Sequence, residues 1–525
     1  MLHFRFATRT TLLAALQLSY AASAIAQSSD PQAPAPTWPT KAWETSTAEE
    51  QGMDSAKLAL LVEAVGSRKQ DSLMVIRHGK VVAEVYYAPY VAGVPHDLRS
   101  VTKSIISTLT AIELQNGLLD SVDHSVVELF SEKNILNADT DERRKSIKVQ
   151  NLLDMNSGIK WKERAYTPDE TIMQMYGSPD RVQFVLNQPM SDAPGAKFYY
   201  NSGNPYVLSA LINKKAGQNA FEFAKKELFA PLGITSAWWR PVDAQGITDG
   251  ESGLFLTPQD MARVGYLYLH NGLWEDKQII PASWVERARK GEIEATGGLH
   301  YANLWWSVPE KGAFMALGRH SQMIIVLPKL DVVAVMTGSM PDGEYYSVFR
   351  LIDDISDAVK SSQPLQSDPV AQSLLAASIH KAATEGRPSA VTSAPELAKA
   401  ISGKTYQLSY NPLHVKAITL DFSGPDCIWK TTIDPGEPDQ PLIVSEGHVG
   451  LDGTFKNGPP AQSGPSTATA AKGRWLNNHT FEVERQILGH GETQIVQLAF
   501  SGDGVEVSYR DTDGSRGSAF GKAAE

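Results

Sequence analysis

Strand-forming sequence stands at both ends of the first 360 residues, with helix-forming sequence between them, and this order limits the fold more than any other feature. Leu73 to Tyr87 (LMVIRHGKVVAEVYY) reads as two strands joined at His78-Gly79, a hairpin signal. Residues 302–338 return to that texture with ANLWWSV, AFMALG, QMIIVLP and DVVAVMTG. The span 151–290 is helical and rich in turns such as Asn156-Ser157-Gly158 and Pro194-Gly195. Strands at two ends with helices inserted predict an α+β domain over 45–360, built on an antiparallel sheet flanked by helices. Residues 361–400, opening SSQPLQSDP, read as a linker with a short helix. From Ile401 the texture changes to short strand-like runs (AITLDF, CIWKTTI, PLIVSE, TFEVERQIL, TQIVQLAF, VEVSYRD) punctuated by Gly, Asp, Asn and Pro. These predict a small all-β domain over 401–525, a barrel or a sandwich.

The N-terminus has the layout of a secretory signal over 1–26. Arg5 and Arg9 precede a short, mostly apolar stretch from Thr11 to Ala22, and Ala24-Ile25-Ala26 fits a small-x-small cleavage site before Gln27. The apolar run is too short to span a bilayer, so the expectation is an exported chain, periplasmic or secreted, with no transmembrane anchor. Residues 27–44 are rich in Pro, Ala and Ser and read as an extended leader. The net charge of −11 disfavours nucleic acid and anionic membranes as partners. The single cysteine, Cys427, reads as a core residue, and the 12 histidines are scattered. No HExxH or CxxC occurs, and Gly489-His490-Gly491-Glu492 reads as a turn, so neither a metal nor a cofactor is called for.

The chemistry begins at Ser100-Val101-Thr102-Lys103. Val101, Ile105, Leu109 and Ile112 recur at helical spacing, with Gly117 as the stop, so Ser100 and Lys103 share one face of a helix near its start. A lysine in a dry pocket favours its neutral form and can take the serine proton, while the helix N-terminus favours the developing alkoxide. The pattern is weak alone, and Ser378-Ile379-His380-Lys381 repeats it. That copy has no hairpin before it and no partner motifs after it, and reads as solvated helix surface. Downstream of Ser100, Pro194-Gly195-Ala196-Lys197-Phe198-Tyr199-Tyr200 can project a tyrosine hydroxyl into a cleft, or simply supply packing aromatics. Ala316-Leu317-Gly318-Arg319-His320 then opens the run MIIVL. A glycine on an edge strand there permits close backbone approach, and its neighbouring N–H with that of Ser100 can form an oxyanion hole. His320 also reads as a structural strand histidine.

The order SxxK, PGxxFxY, then a glycine-bearing strand resembles the serine β-lactamase and penicillin-recognising superfamily. The likeness is to its class C-like branch, with D-aminopeptidases, family VIII esterases and 6-aminohexanoate-dimer hydrolases. It covers roughly 45–360, supported by Leu152 to Gly158, Gly253 to Met261 and Ile280 to Trp284. The resemblance implies Ser100 as acylated nucleophile, Lys103 as its base partner and Tyr200 as second general acid/base. It implies an oxyanion hole from the main-chain N–H groups of Ser100 and Arg319. Tyr166, Asn156, Gly318 and His320 are candidate substrate contacts, Tyr166 by the likeness of Trp161 to Tyr166 to a loop of the nylon-oligomer hydrolases.

Two departures narrow the substrate. Where β-lactamases carry Tyr-x-Asn this chain has Tyr200-Asn201-Ser202, and where they carry Lys-Thr-Gly it has Ala316-Leu317-Gly318. Losing the charge-assisted contact of that lysine removes about 1.5–3 kcal/mol of binding to a β-lactam carboxylate. The first expectation is therefore a hydrolase of small-molecule amides or esters. Alternatives are a β-lactamase or D-alanyl peptidase acting on cell-wall peptides, and a β-lactam sensor that acylates and stops. An α/β-hydrolase is disfavoured because no GxSxG elbow appears. The β domain is open to three readings: packing over the cleft, binding a substrate or supporting a homodimer.

Overall fold

The computed structural model describes residues 37–524 except 69, 139, 342–343, 385–393, 413, 436–440, 462–464 and 513. The expected signal peptide, and the leader as far as Pro36, lie outside the described residues. No helix among the described residues is long and apolar enough to cross a membrane.

The first domain is built on a nine-stranded sheet. Near one edge lies the hairpin of Lys80–Tyr86 and Gln70–Arg77, which pairs through Gln70–Arg77 with Val332–Gly338, followed by the central Gln322–Leu327 and then Ala313–Gly318 and Trp305–Val308. These pairings are antiparallel, while Glu44–Thr45 adds a parallel edge beside Lys80–Tyr86. The run QMIIVL is apolar at nearly every position because both faces of the sheet are covered. Ile324 and Val326 face the Ser100 helix and the inserted helices, with Phe314, Ala316, Val333 and Val335. Met323, Ile325 and Leu327 face the other side, where the helices Ser55–Gly66 and Val348–Ala358 lie. Between 361 and 400 the chain forms the fourteen-residue helix Pro369–Ala382, begun by Asp368 accepting from Val370 and Ala371 N–H, and it buries Leu375 in this second cluster.

The glycine-bearing strand is interior, not an edge. Ala313–Gly318 pairs with strands on both sides, but its pairing with Trp305–Val308 ends at Trp306↔Met315. Leu317 and Gly318 therefore run past that neighbour, so the free end sits where an edge strand was expected.

The second domain is a ten-stranded, wholly antiparallel sheet. It curls until its ends meet, where Gly450 N donates to Ala471 O and Gly473 N to Gly450 O. Alternation along each strand turns Leu420, Trp429, Phe481, Val483, Leu498 and Phe500 into the interior, and Cys427 is fully buried among them. The short helix Glu396–Ile401 plugs one end with Ala398 and Ile401.

Candidate active site

Ser100 sits at the N-terminus of helix Val101–Gln115, and its side chain makes no cap bond to that helix. Lys103, on the same face, places Nζ 3.0 Å from Ser100 Oγ and donates to it. The residue before the serine, Arg99, holds a left-handed φ of 48°, and its backbone N donates to Asp97 Oδ1 at 2.9 Å. The repeat of the pattern has none of this. Lys381 is exposed, and its Nζ donates to Glu63 Oε1 at 3.4 Å.

The pocket around Lys103 is buried but not apolar, which differs from the dry pocket expected for it. Lys103 Nζ donates to Glu251 O at 2.9 Å and lies 3.4 Å from Glu251 Oε2. Glu251 Oε1 accepts from Ser252 Oγ at 2.5 Å and from the Tyr176 hydroxyl. Burial opposes ionisation of Glu251, but the Lys103 ammonium and these hydrogen bonds outweigh it and hold its carboxyl below the ordinary value. A second carboxylate, Glu163, accepts from Ser202 N at 2.8 Å, Ser202 Oγ at 2.9 Å and Trp161 Nε1 at 2.5 Å. Burial pushes its pKa up, against the pull of Lys103. Ser202, at the position of the family's Tyr-x-Asn asparagine, is thus spent on Glu163.

Tyr200 is half-buried, its ring 5.2 Å from Lys103 Nζ and stacked on Trp306 at 6.1 Å. Burial and then Glu163 push its phenol far above the ordinary value, opposed by its hydrogen bond with Ser100. Tyr200 therefore rests as the neutral phenol. Its neighbour Tyr199 is 47 % exposed, and its hydroxyl donates to Trp161 O at 2.7 Å.

The free end of the glycine strand closes the site. A Cβ on Gly318 would stand 2.5 Å from Leu98 O and 3.3 Å from Ser100 N, so only glycine lets the two backbones approach. Arg319, the next residue, lays its guanidinium 4.6 Å over the Tyr166 ring. Tyr166 has φ 56°, and Glu170 Oε2 fixes its loop by accepting from Arg164, Ala165 and Tyr166 N–H at 2.8, 3.0 and 2.9 Å. Burial, then Glu251 and Glu163, raise the Tyr166 phenol as well. Ser100, Lys103, Tyr200, Tyr166, Gly318 and Arg319 thus converge. Two other candidates are buried in bonds of their own. Asn156 Oδ1 accepts from Asn151 Nδ2 at 3.0 Å. His320 is 1 % exposed, with Nδ1 2.6 Å from Met340 O, and burial lowers its pKa to about 4.

Residues 52–352 match the Beta-lactamase protein family. The chain belongs to the beta-lactamase family. It is similar to the 6-aminohexanoate-dimer hydrolase of Paenarthrobacter ureafaciens, 26% identical over 293 residues that make up 52% of this chain and 73% of that one. It is also similar to the lovastatin esterase of Penicillium rubens, 25% identical over 195 residues, 33% of this chain and 46% of that one. This chain thus spans less than half of the esterase. Among solved structures it is similar to the octameric penicillin-binding protein homologue of Pyrococcus abyssi, at 16% identity and a TM-score of 0.42, covering 89% of this chain and 100% of that one.

Several residues of this beta-lactamase-family site carry no sequence signal. Glu251 lies in a stretch with no motif of its own, while Glu163 and Trp306 lie in stretches singled out for a neighbouring tyrosine and for strand character, with nothing to mark these two residues themselves. The turn at Gly489 to Glu492 is a turn, as read, but it comes from the barrel and lands beside Ser100. Gly489 O accepts from Asp97 N at 2.6 Å. Arg99 Nη2 donates to His490 O at 2.6 Å and to Glu492 Oε1 at 2.7 Å. His490 packs edge-on to Phe255, 5.2 Å between centroids. Of the three readings of the β domain, these contacts correspond to packing against the cleft.

Proposed function

We propose that the chain is a serine hydrolase that cleaves ester or amide bonds of small molecules through an acyl-enzyme on Ser100. The observation that carries this reading is the 3.0 Å contact of Lys103 Nζ with Ser100 Oγ at a helix N-terminus. In the reacting state Lys103 is the free amine: Ser100 Oγ attacks the substrate carbonyl, its proton passes to Lys103 Nζ, and the resulting ammonium replaces the proton that the Tyr200 phenol gives up. The tetrahedral oxyanion is received by the main-chain N–H groups of Ser100 and Arg319. Tyr200 then hands the proton to the leaving alcohol or amine, and the acyl group stays on Ser100. A water molecule repeats the cycle, giving its proton to the same pair and releasing a carboxylic acid.

Glu251 keeps the Lys103 amine oriented at the serine. The Arg319 guanidinium holds the Tyr166 ring at the mouth, where the ring would contact an apolar acyl chain. The missing Lys-Thr-Gly lysine argues for neutral esters and amides over β-lactams. The signal-like N-terminus supports an exported enzyme.

The test is to assay the mature chain and Ser100→Ala on a p-nitrophenyl ester, nitrocefin and the linear 6-aminohexanoate dimer. The expected result is ester or amide turnover that Ser100→Ala abolishes and Ser378→Ala leaves intact. Rapid nitrocefin turnover would move the reading to a β-lactamase. A stable acyl adduct on Ser100 by mass spectrometry, without turnover, would make it a sensor.

A further inference from the structure

The barrel interior is filled unevenly. Around Cys427 it is packed solid by Leu420, Phe481, Leu498 and Phe500. Beyond Trp429 it is not filled, and a cavity of about 260 Å³ remains. Its wall is mostly apolar, with Ile418, Trp429, Val496 and Val507 facing in, and it holds one cation, Arg485.

Arg485 has neutral partners only. Its Nη2 donates to Pro459 O at 2.8 Å, Nη1 reaches Gln494 Oε1 at 3.4 Å, and its guanidinium lies 5.9 Å from the centre of the Trp429 ring. No carboxylate among the described residues pairs with it. Its Nε is buried without a hydrogen-bond partner, and so is Trp429 Nε1 on the same cavity wall. Burial, with no opposing charge, lowers the Arg485 pKa to about 10. A half-buried cation with no carboxylate partner and two idle buried donors are costly to keep, and an apolar side chain of similar size would remove the cost. A structural tie for Pro459 needs one donor, not a charge.

We propose that this cavity is a binding site for a small amphipathic carboxylate, whose head pairs with Arg485 and whose aliphatic chain lies between Trp429, Ile418 and Val496. The guanidinium fork matches a carboxylate with two parallel N–H···O bonds. The apolar wall suits one charged end and a plain hydrocarbon body rather than a second charge. At about 30 Å³ per water-sized group, the volume holds a carboxylate and roughly seven further carbons.

The experiment is isothermal titration of the full chain carrying Ser100→Ala with sodium octanoate, kept below its micelle-forming concentration, and with 1-octanol as the uncharged counterpart. One octanoate per chain is expected, with octanol at least about tenfold weaker. Arg485→Gln should weaken octanoate by about tenfold or more. Val496→Phe, which fills the cavity, should abolish binding and the rise in Tm that octanoate gives. Equal binding of octanol and octanoate, unchanged binding by Arg485→Gln, or no octanoate binding would each overturn the proposal. If Arg485→Gln does not fold, Val496→Phe decides: binding that survives it is elsewhere. Hydrolysis of a p-nitrophenyl ester by Arg485→Gln with Ser100 intact should be unchanged, so this site and the proposed serine chemistry stand or fall separately.

Discussion

Lys103 and Arg485 are cations turned inward in the two halves of the molecule, the first fully buried and the second half-buried, and the chain answers them in opposite ways. Lys103 is 1 % exposed and meets a carboxylate, a backbone carbonyl and a serine hydroxyl. Arg485 meets carbonyls, an amide and an indole face. Where compensation is internal, the chain has committed the charge to orienting a neighbour. Where it is absent, the charge is left for something the chain does not supply. Glu113 is a third answer, on the Ser100 helix itself. Its carboxyl oxygens are buried without hydrogen-bond partners, and burial raises its pKa to about 8, so it keeps its proton at neutral pH.

The sharpest way to break the contrast is Lys103→Met. On the proposed mechanism kcat/KM for a p-nitrophenyl ester falls by about a thousandfold or more. A loss below about tenfold would remove Lys103 from the chemistry.

Next in size is Glu113→Gln, which tests burial answered by a proton. The folded pKa lies above the ordinary carboxylate value, so stability is fully present below pH ~4.5 and is lost as pH rises toward ~8. Urea denaturation at pH 8 should show Glu113→Gln more stable than the parent by about 3–4 kcal/mol, with little difference near pH 4.5. Equal curves at both pH values would show that the carboxyl finds a partner in solution.

Glu251→Gln removes the internal compensation itself. We expect kcat to fall about tenfold to a hundredfold with KM little changed, because the amine loses its orientation toward Ser100 while the cleft keeps its shape. A KM effect alone would assign Glu251 to substrate binding.

The smallest effect is Glu492→Ala, which removes one of the two bonds that tie Arg99 to the barrel turn. A drop in kcat of about threefold to tenfold is expected, since Arg99 keeps Asp97 and the His490 carbonyl. No change would show the barrel turn to be a passive neighbour.

Legibility in the sequence followed range. Ser100 and Lys103 are three residues apart on one helix, and the hairpin at 70–86 is closed by its own turn, so local spacing disclosed both. Gly318 was recognisable as a close-approach glycine. That its strand is interior depends on which strands flank it, and pairing order leaves no mark in a strand's own residues. Glu251 reaches Lys103 across 148 positions, and Glu492 reaches Arg99 across 393. Neither falls in a periodic or motif-like stretch, so nothing in the neighbourhood of either announces its partner. Arg485 sits in TFEVERQIL among alternating residues, where an inward-facing arginine and an outward-facing one look alike until the register is known.

The pairing of Gln70–Arg77 with Val332–Gly338 also has a consequence in time. The two strands are some 250 residues apart in the chain, and at about 5–20 residues per second a ribosome needs roughly 10–50 s to make the second after the first. Until then the hairpin sequence lacks the strand that covers one of its apolar edges, and any hairpin that forms early is open to pairing with another copy. The interval before that strand arrives is thus a delicate one, because Ser100 does not yet have a sheet to rest against.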